Sequence, residues 1–262
     1  MFKNLFITVL FLSILSSCSK KTEEVAPVAD FVVTVSGQSP TATLQITNNS
    51  TNAATYSWTF SAGASIATSA EKTPTNIKVD KAGQLTVTLV ATSGSLTNTK
   101  VLQVTVAGKN AINTYTDLEF AMTAGSTTYG RLFSFEGAGK MYKDSEINAT
   151  VGPTIHLGFA RAGTSILFFE TPTAAKYNVT GATVTKVMNY PTPNPITPTA
   201  FDAIVDDTSL APLTVVDTNE SFPASSTSNI IIFQLASGRK GVIKTKAINS
   251  DRVLVDIKIQ KY

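Results

Sequence analysis

Between Pro27 and Ala107 the chain alternates apolar and polar residues in six short runs: ADFVVTV (29–35), ATLQITN (42–48), TYSWTF (55–60), TNIKVD (75–80), QLTVTLVAT (84–92) and LTNTKVLQVTV (96–106). Successive side chains of a strand point to opposite faces, so a period of two predicts strands with one buried face. Lys81-Ala82-Gly83 and Ser93-Gly94-Ser95 carry the residues of hairpin turns. Short strands with turns every 8–12 residues or so predict an antiparallel β-sandwich.

A second pattern begins after the polar link Gly108-Lys109-Asn110. Its predicted strands are DLEFAMTA (117–124), GRLFSF (130–135), TIHLGFA (154–160), TSILFFE (164–170), TGATVTKVM (180–188), SNIIIFQLA (228–236), GVIKTKAI (241–248) and RVLVDIKIQ (252–260). The last two flank Asn249-Ser250-Asp251, a turn sequence. Val253, Val255, Ile257 and Ile259 alternate with polar residues, which predicts one wet face. Ile230-Ile231-Ile232-Phe233 is apolar on both faces and predicts a central, doubly covered strand. Short helices are predicted at Lys143–Asn148 and Thr199–Asp207, the second with Thr199 as N-cap and an apolar face of Phe201, Ile204 and Val205. Tyr190-Pro191-Thr192-Pro193-Asn194-Pro195-Ile196-Thr197-Pro198 has too many prolines for either element and predicts a stiff, extended excursion.

Composition agrees with this all-β reading. Of 262 residues, 43% are hydrophobic and only 15% charged, below the roughly 25% usual for soluble domains. Thr, Ser and Asn supply the polar surface instead, and β-branched Thr suits a half-buried pleated sheet. A net charge of +3, with no basic cluster, argues against a nucleic-acid partner.

The amino terminus changes the expected address. MFKNLFITVLFLSILSS has a basic start, an apolar run from Leu5 to Leu15 and small residues after it, the tripartite pattern of a secretory leader. At about 11 residues the run is too short to span a bilayer. Leu15-Ser16-Ser17-Cys18 resembles the lipobox at which bacterial lipoproteins are cleaved and acylated. The resemblance implies that residues 1–17 are removed and that Cys18, the chain's only cysteine, carries the lipid. Several acyl chains on one residue would anchor the protein stably to a membrane. The mature chain then has no disulfide and rests on its core. Ser19-Lys20-Lys21-Thr22-Glu23-Glu24 resembles the charged tags of surface-exposed lipoproteins of the Bacteroidota type, which implies the cell surface of the outer membrane, with its periplasmic leaflet as the alternative and residues 18–26 as tether.

Residues 27–107 also carry a family resemblance. Asn48-Asn49-Ser50, Tyr56-Ser57-Trp58-Thr59-Phe60-Ser61-Ala62-Gly63, Pro74 and Ala82-Gly83-Gln84-Leu85-Thr86-Val87-Thr88-Leu89 resemble the polycystic-kidney-disease (PKD) domain, an immunoglobulin-like extracellular sandwich. Ser61 and Ala62 stand where that family has Gly and Asp. The resemblance implies a spacer or a contact module. Trp58 is read either as core or as a sugar-stacking platform, its alternation with Tyr56 and Phe60 pointing to the core. Residues 111–262 form the second expected unit, β-rich with one or two short helices. Within it, RLFSFEGAGKMYKDSEINATVGPTIHLGFA resembles a module of similar surface lipoproteins that implies architecture and no chemistry.

Few residues offer catalysis. His156, the single histidine, lies in a strand-like run without a nucleophile motif, and a zinc site lacks further His or Cys ligands. No cofactor or metal is expected, and Asp206-Asp207 reads as helix-end solvation rather than a calcium loop. Glu119, Glu136, Glu146 and Glu170 are the carboxylates from which a glycosidase pair would be drawn. Tyr115, Tyr129, Tyr142, Tyr177 and Tyr190 lie at expected turns or strand edges, where a ring either covers the core or stays exposed to stack on a sugar. Of these Tyr190, Tyr142, Tyr177 and Tyr129 are the candidate ligand-binding residues, Tyr190 foremost. The expectation is a lipid-anchored, non-catalytic envelope protein that binds a glycan or a partner protein of an outer-membrane uptake complex. Two alternatives stand beside it: a structural or adhesive spacer, and a glycoside hydrolase.

Overall fold

A computed structural model describes residues 24–218, 220–225 and 227–262; Cys18 and the leader-like residues 1–17 lie outside the described residues. Strand makes up 46% of the described residues and helix 8%, so the packing is sheet on sheet. No helix among the described residues is long and apolar enough to cross a membrane.

The first seven strands are β1 (Phe31–Ser36), β2 (Ala42–Asn48), β3 (Thr55–Phe60), β4 (Thr68–Ser69), β5 (Ile77–Val79), β6 (Gly83–Ser93) and β7 (Leu96–Val106). They form a three-stranded sheet, β1-β2-β5, and a four-stranded sheet, β4-β3-β6-β7. The inward positions of both sheets meet in one core around Trp58, Phe31, Leu44, Ile77, Val87 and Leu89. Trp58 is fully buried, 5.0 Å edge-on from Phe31, and its indole N–H donates to the Glu71 carbonyl at 2.9 Å. The core reading of Trp58 therefore holds, and its ring is no sugar platform. Ser93-Gly94-Ser95 closes the β6–β7 hairpin as expected. Lys81-Ala82-Gly83 does not make a hairpin: β5 pairs with β2 and β6 with β3, so this segment carries the chain from one sheet to the other.

The remaining strands are β8 (Ile112–Ala121), β9 (Leu132–Ser134), β10 (Lys140–Tyr142), β11 (Leu157–Ala162), β12 (Ile166–Glu170), β13 (Thr185–Met188), β14 (Phe222–Pro223), β15 (Ile230–Leu235), β16 (Lys240–Ile248) and β17 (Arg252–Gln260). They build two five-stranded sheets, β10-β9-β11-β12-β14 and β13-β15-β16-β17-β8. Phe120, Ile231, Phe233, Val255 and Ile257 of one sheet face Phe133, Phe159, Leu167, Phe169 and Phe222 of the other. Edge-to-face ring pairs such as Phe120–Phe169 (5.1 Å, 90°) fill the gap between the sheets.

Both outer faces of this second sandwich are covered by chain. On one, residues 196–215 lay Ile196, Phe201, Ile204, Leu210, Leu213 and Val215 over Ile230, Ile232 and Val242. That explains why Ile230-Ile231-Ile232-Phe233 is apolar on both faces although β15 is second from the edge, not central. Within the covering segment α1 (Pro198–Ala203) is capped by Thr197, whose hydroxyl accepts from the Ala200 N–H at 3.1 Å. The cap is thus Thr197 rather than Thr199, with Pro198 at the first helical position, where its missing N–H costs nothing. Phe201 and Ile204 are buried as expected, whereas Val205 is 77% exposed because the helix ends before it. On the other outer face, Tyr177, Ile147 and Val151 pack over Leu132, Ile155 and Ala160. A 3₁₀ turn at Asp144–Glu146 replaces the first expected helix.

The two sandwiches are clasped. Gly108, at φ +116°, brings its backbone so near Ser39 that a Cβ there would lie 2.3 Å from the Ser39 carbonyl oxygen. The Asn110 side chain accepts from the Ala82 N–H of the first sandwich at 3.1 Å and donates to the buried Asp207 carboxylate of the second at 2.9 Å. Asp207 also accepts from the Asn110 backbone N–H at 3.0 Å. Asp80 accepts from Tyr262 Oη at 2.5 Å and pairs with Lys261.

Candidate functional site

The proline-rich excursion lies over the outer face of the β13-β15 edge and lines two adjoining clefts of about 570 and 400 Å³. Pro191, Thr192, Pro193 and Ile196 line both. The larger is mostly apolar, with Met188, Pro195, Leu213 and Ile232 in its wall. The smaller carries the polar side chains of Asn189, Tyr190, Asn194, Thr197, Ser228 and Asn229.

Three side chains fix the excursion. Asn189 is buried and behaves like a strand partner of the opposite sheet, accepting from the Phe169 N–H at 2.7 Å and donating to its carbonyl at 2.8 Å. Asn194 accepts from the Ile196 N–H at 3.1 Å and donates to the Ile230 carbonyl at 3.2 Å. Thr197 caps α1. With φ restricted at each proline, the loop is held in place from both ends and stiff between them. Tyr190 follows Asn189 immediately and is 57% exposed. An exposed ring on a fixed rim beside a cleft is the arrangement that can stack on a flat ligand.

The other candidate tyrosines are placed differently. Tyr177 is buried, as is Tyr115, so of the two readings left open for these rings both take the core-covering one. The Tyr177 hydroxyl donates to Glu170 at 2.6 Å and its ring carries the Arg131 guanidinium at 4.7 Å. Burial first, and the Glu170 hydrogen bond second, push this hydroxyl above its ordinary range, so it serves as a fixed donor. Tyr142 is half-buried, packs on the outer cluster and has the Lys140 ammonium 4.4 Å from its ring. Both rings are occupied by this chain's own cations. Gly158 lies against one of these rings: a Cβ there would come within 2.8 Å of the Tyr177 ring.

Tyr129 lines a third cleft, of about 370 Å³, together with Asp117, Glu119, Lys143 and Glu146. Its hydroxyl accepts from Arg252 at 2.9 Å, and the same guanidinium pairs with Glu119 at 2.7 Å. Glu146 accepts from the Lys143 backbone N–H at 2.7 Å. Of the four glutamates weighed as a hydrolytic pair, this cleft unites Glu119 and Glu146 and excludes the other two. Glu170 is tied to Tyr177 and to Lys176 at 2.8 Å on the outer face, and Glu136 is exposed in the turn after β9.

His156 sits at the start of β11. Its Nδ1 accepts from the Phe135 N–H at 3.2 Å, and burial lowers its pKa, with nearby Glu136 opposing and Arg239 adding to the effect. Asp206 caps a 3₁₀ turn, accepting from the Thr208 N–H at 2.9 Å, which holds its carboxyl below the ordinary range. Asp207, read from the sequence with it as helix-end solvation, instead ties the linker to the second sandwich. Sequence reasoning missed this role, because nothing local marks the contact with a residue 97 positions away. No family model matches the chain, and no curated protein is significantly similar to it.

Proposed function

We propose that the protein is a lipid-anchored envelope lipoprotein that binds a neutral polysaccharide without altering it, using the rim of the proline loop. The observation that carries the binding reading is the Tyr190 ring, exposed beside two clefts on a loop fixed by Asn189 and Asn194. A preformed rim spends little entropy on ordering when a ligand arrives. The lipobox-like Leu15-Ser16-Ser17-Cys18 and the PKD-like pattern of residues 27–107 support an anchored binding module held off a membrane by a spacer. A partner protein of an outer-membrane uptake complex would engage the same exposed rim.

The test of binding is affinity gel electrophoresis of residues 24–262 over a panel of neutral polysaccharides, run beside Tyr190→Ala. Retardation by at least one polymer, reduced about fivefold in apparent affinity by loss of the ring, is expected; stacking of this kind contributes on the order of 1 kcal/mol. Retardation that Tyr190→Ala leaves unchanged moves the site off this loop, and no retardation on any polymer removes the glycan reading. The anchor is tested separately: the full chain expressed in a bacterium with radiolabelled palmitate is expected to take up label that Cys18→Ser abolishes.

The third cleft supports a hydrolytic reading less well. Glu119 is engaged by Arg252 and Glu146 by the Lys143 backbone, so neither is free to act as acid or nucleophile in this arrangement.

A further inference from the structure

The larger of the two clefts beside the proline loop differs in chemistry from the rim that carries Tyr190. Nine of its twelve lining residues are apolar, four of them prolines, and none is charged. The remaining three, Thr192, Ser209 and Thr214, carry hydroxyls. At about 570 Å³ the cleft has room for more than one ring, since a cavity of about 150 Å³ already admits benzene.

Its walls are fixed before any ligand arrives. Ile232 of β15 and Leu213 are both anchored in the cluster that covers this outer face. The segment carrying Leu213 is tied down at Ala211, whose carbonyl accepts from Lys240 Nζ at 2.7 Å. Further on, the Asp217 carboxylate accepts from the Val187 N–H at 3.2 Å, and the Thr218 N–H donates to the Val187 carbonyl at 3.2 Å. The Val216 N–H donates to Met188 Sδ at 3.3 Å, so the thioether of this lining residue is held as well. Pro191, Pro193 and Pro195 belong to the loop that Asn189 and Asn194 fix from its two ends.

These groups select the chemistry of an occupant. A carboxylate or ammonium would enter without a counter-charge. A sugar ring would leave hydroxyls unpaired against proline and aliphatic walls. A flexible acyl chain fits the polarity but loses its rotamer freedom on entry. An aromatic ring strands no polar group, has no rotors within it, and meets a held sulfur with which contact is favourable.

We propose that this cleft seats an aromatic ring borne by the ligand, so that the glycan recognised is one esterified with an aryl acid. Its sugar lies on the Tyr190 side of the loop and its ring on the Met188 side. The inference rests on the glycan-binding reading of this loop and adds the substituent that the glycan carries. The two clefts share Pro191, Thr192, Pro193 and Ile196, so only the loop itself separates them.

The ring is tested apart from the sugar. Methyl cinnamate, a neutral aryl ester, is titrated into residues 24–262 by ligand-observed nuclear magnetic resonance, beside methyl octanoate as the aliphatic ester. Methyl cinnamate is expected to bind at least about fivefold more tightly than methyl octanoate. Ala200→Trp fills the cleft from α1, and Thr214→Phe fills it from the segment that carries Leu213. Each is expected to weaken methyl cinnamate at least about fivefold while keeping the parent's circular dichroism spectrum; the second variant decides the matter if the first does not fold. The link to the sugar is tested on whichever neutral polymer the electrophoresis panel retards, compared with the same polymer cinnamoylated. The derivative is expected to be retarded more, and Ala200→Trp to abolish the difference.

No binding of methyl cinnamate, or binding that neither substitution weakens, would overturn the aryl site. Equal affinity for methyl octanoate would overturn the choice of a ring over an acyl chain. Equal retardation of parent and cinnamoylated polymer would overturn the aryl-ester glycan and leave the Tyr190 reading standing. Methyl cinnamate bound with no polymer retarded would overturn the glycan itself, and with it the rim reading, while the ring site stood.

Discussion

At the residue scale the most informative side chains are those whose partners lie far along the chain. His156 shows how an unremarkable strand residue acquires a pH dependence. Its Nδ1 must stay unprotonated to accept from the Phe135 N–H, and burial disfavours the imidazolium. The folded pKa is therefore below that of the unfolded chain. The unfolded state binds more protons in the window beneath about pH 6.5, so stability is complete above that value and falls as pH drops through the lowered folded pKa. His156→Asn keeps an acceptor near the Nδ1 position and removes the titration. Denaturant midpoints measured between pH 7.5 and 5 should fall less steeply for the variant than for the parent; parallel slopes would show that this histidine contributes nothing to the acid limb. That the histidine lies in a strand-like run was legible in the sequence. Its acceptor role was not, because Phe135 reaches it only through the pairing of neighbouring strands.

At the scale of elements, legibility followed the period. β2, β3, β7 and β17 lie within the residues that the alternation marks. Each runs without interruption and has one wet face, so its pattern survives intact in the sequence. β8 begins at Ile112 rather than Asp117 because a bulge changes its phase. Tyr115 pairs with Ile257 but Leu118 with Val255, and Asp117 between them adopts φ +55°. An extra residue flips the inward set from one parity to the other, so a period-two reading recovers only the part after the bulge. β4, β10 and β14 have two or three residues and no measurable period. The candidate site divides in the same way. The proline run marked a stiff excursion, and Tyr190 beside it is exposed; the clefts on either side depend on where Asn189 and Asn194 find the Phe169 and Ile230 backbones, which no local pattern encodes.

At the scale of the molecule the joint decides whether the two sandwiches move together. Asp207 is buried between the Asn110 backbone and side chain, with Gln260 Nε2 at 3.4 Å, and Asn110 in turn holds Ala82. Asp80 adds a second strap through Lys261 and Tyr262, whose hydroxyl is pushed above its ordinary range by burial and then by the Asp80 carboxylate. Asp207→Ala leaves two Asn110 donors without their acceptor and is expected to cost about 1–3 kcal/mol in chemical unfolding. It should also broaden the distance distribution in small-angle scattering, because one of the two straps is gone. A variant as stable and as compact as the parent would show that the linker contributes nothing to the joint.

Period-two alternation, turn residues and a Thr-rich, charge-poor composition were enough to establish an all-β chain of stacked sheets, because strand formation and burial are read from neighbours two residues apart. Tertiary structure alone decided that Lys81-Ala82-Gly83 crosses between sheets, that Tyr177 is buried while Tyr190 is exposed, that Asp207 ties the linker to the second sandwich, and that β7 ends its sheet. Each of these depends on which distant strand or loop arrives beside a residue, and that is fixed by packing over the whole chain rather than by its local sequence.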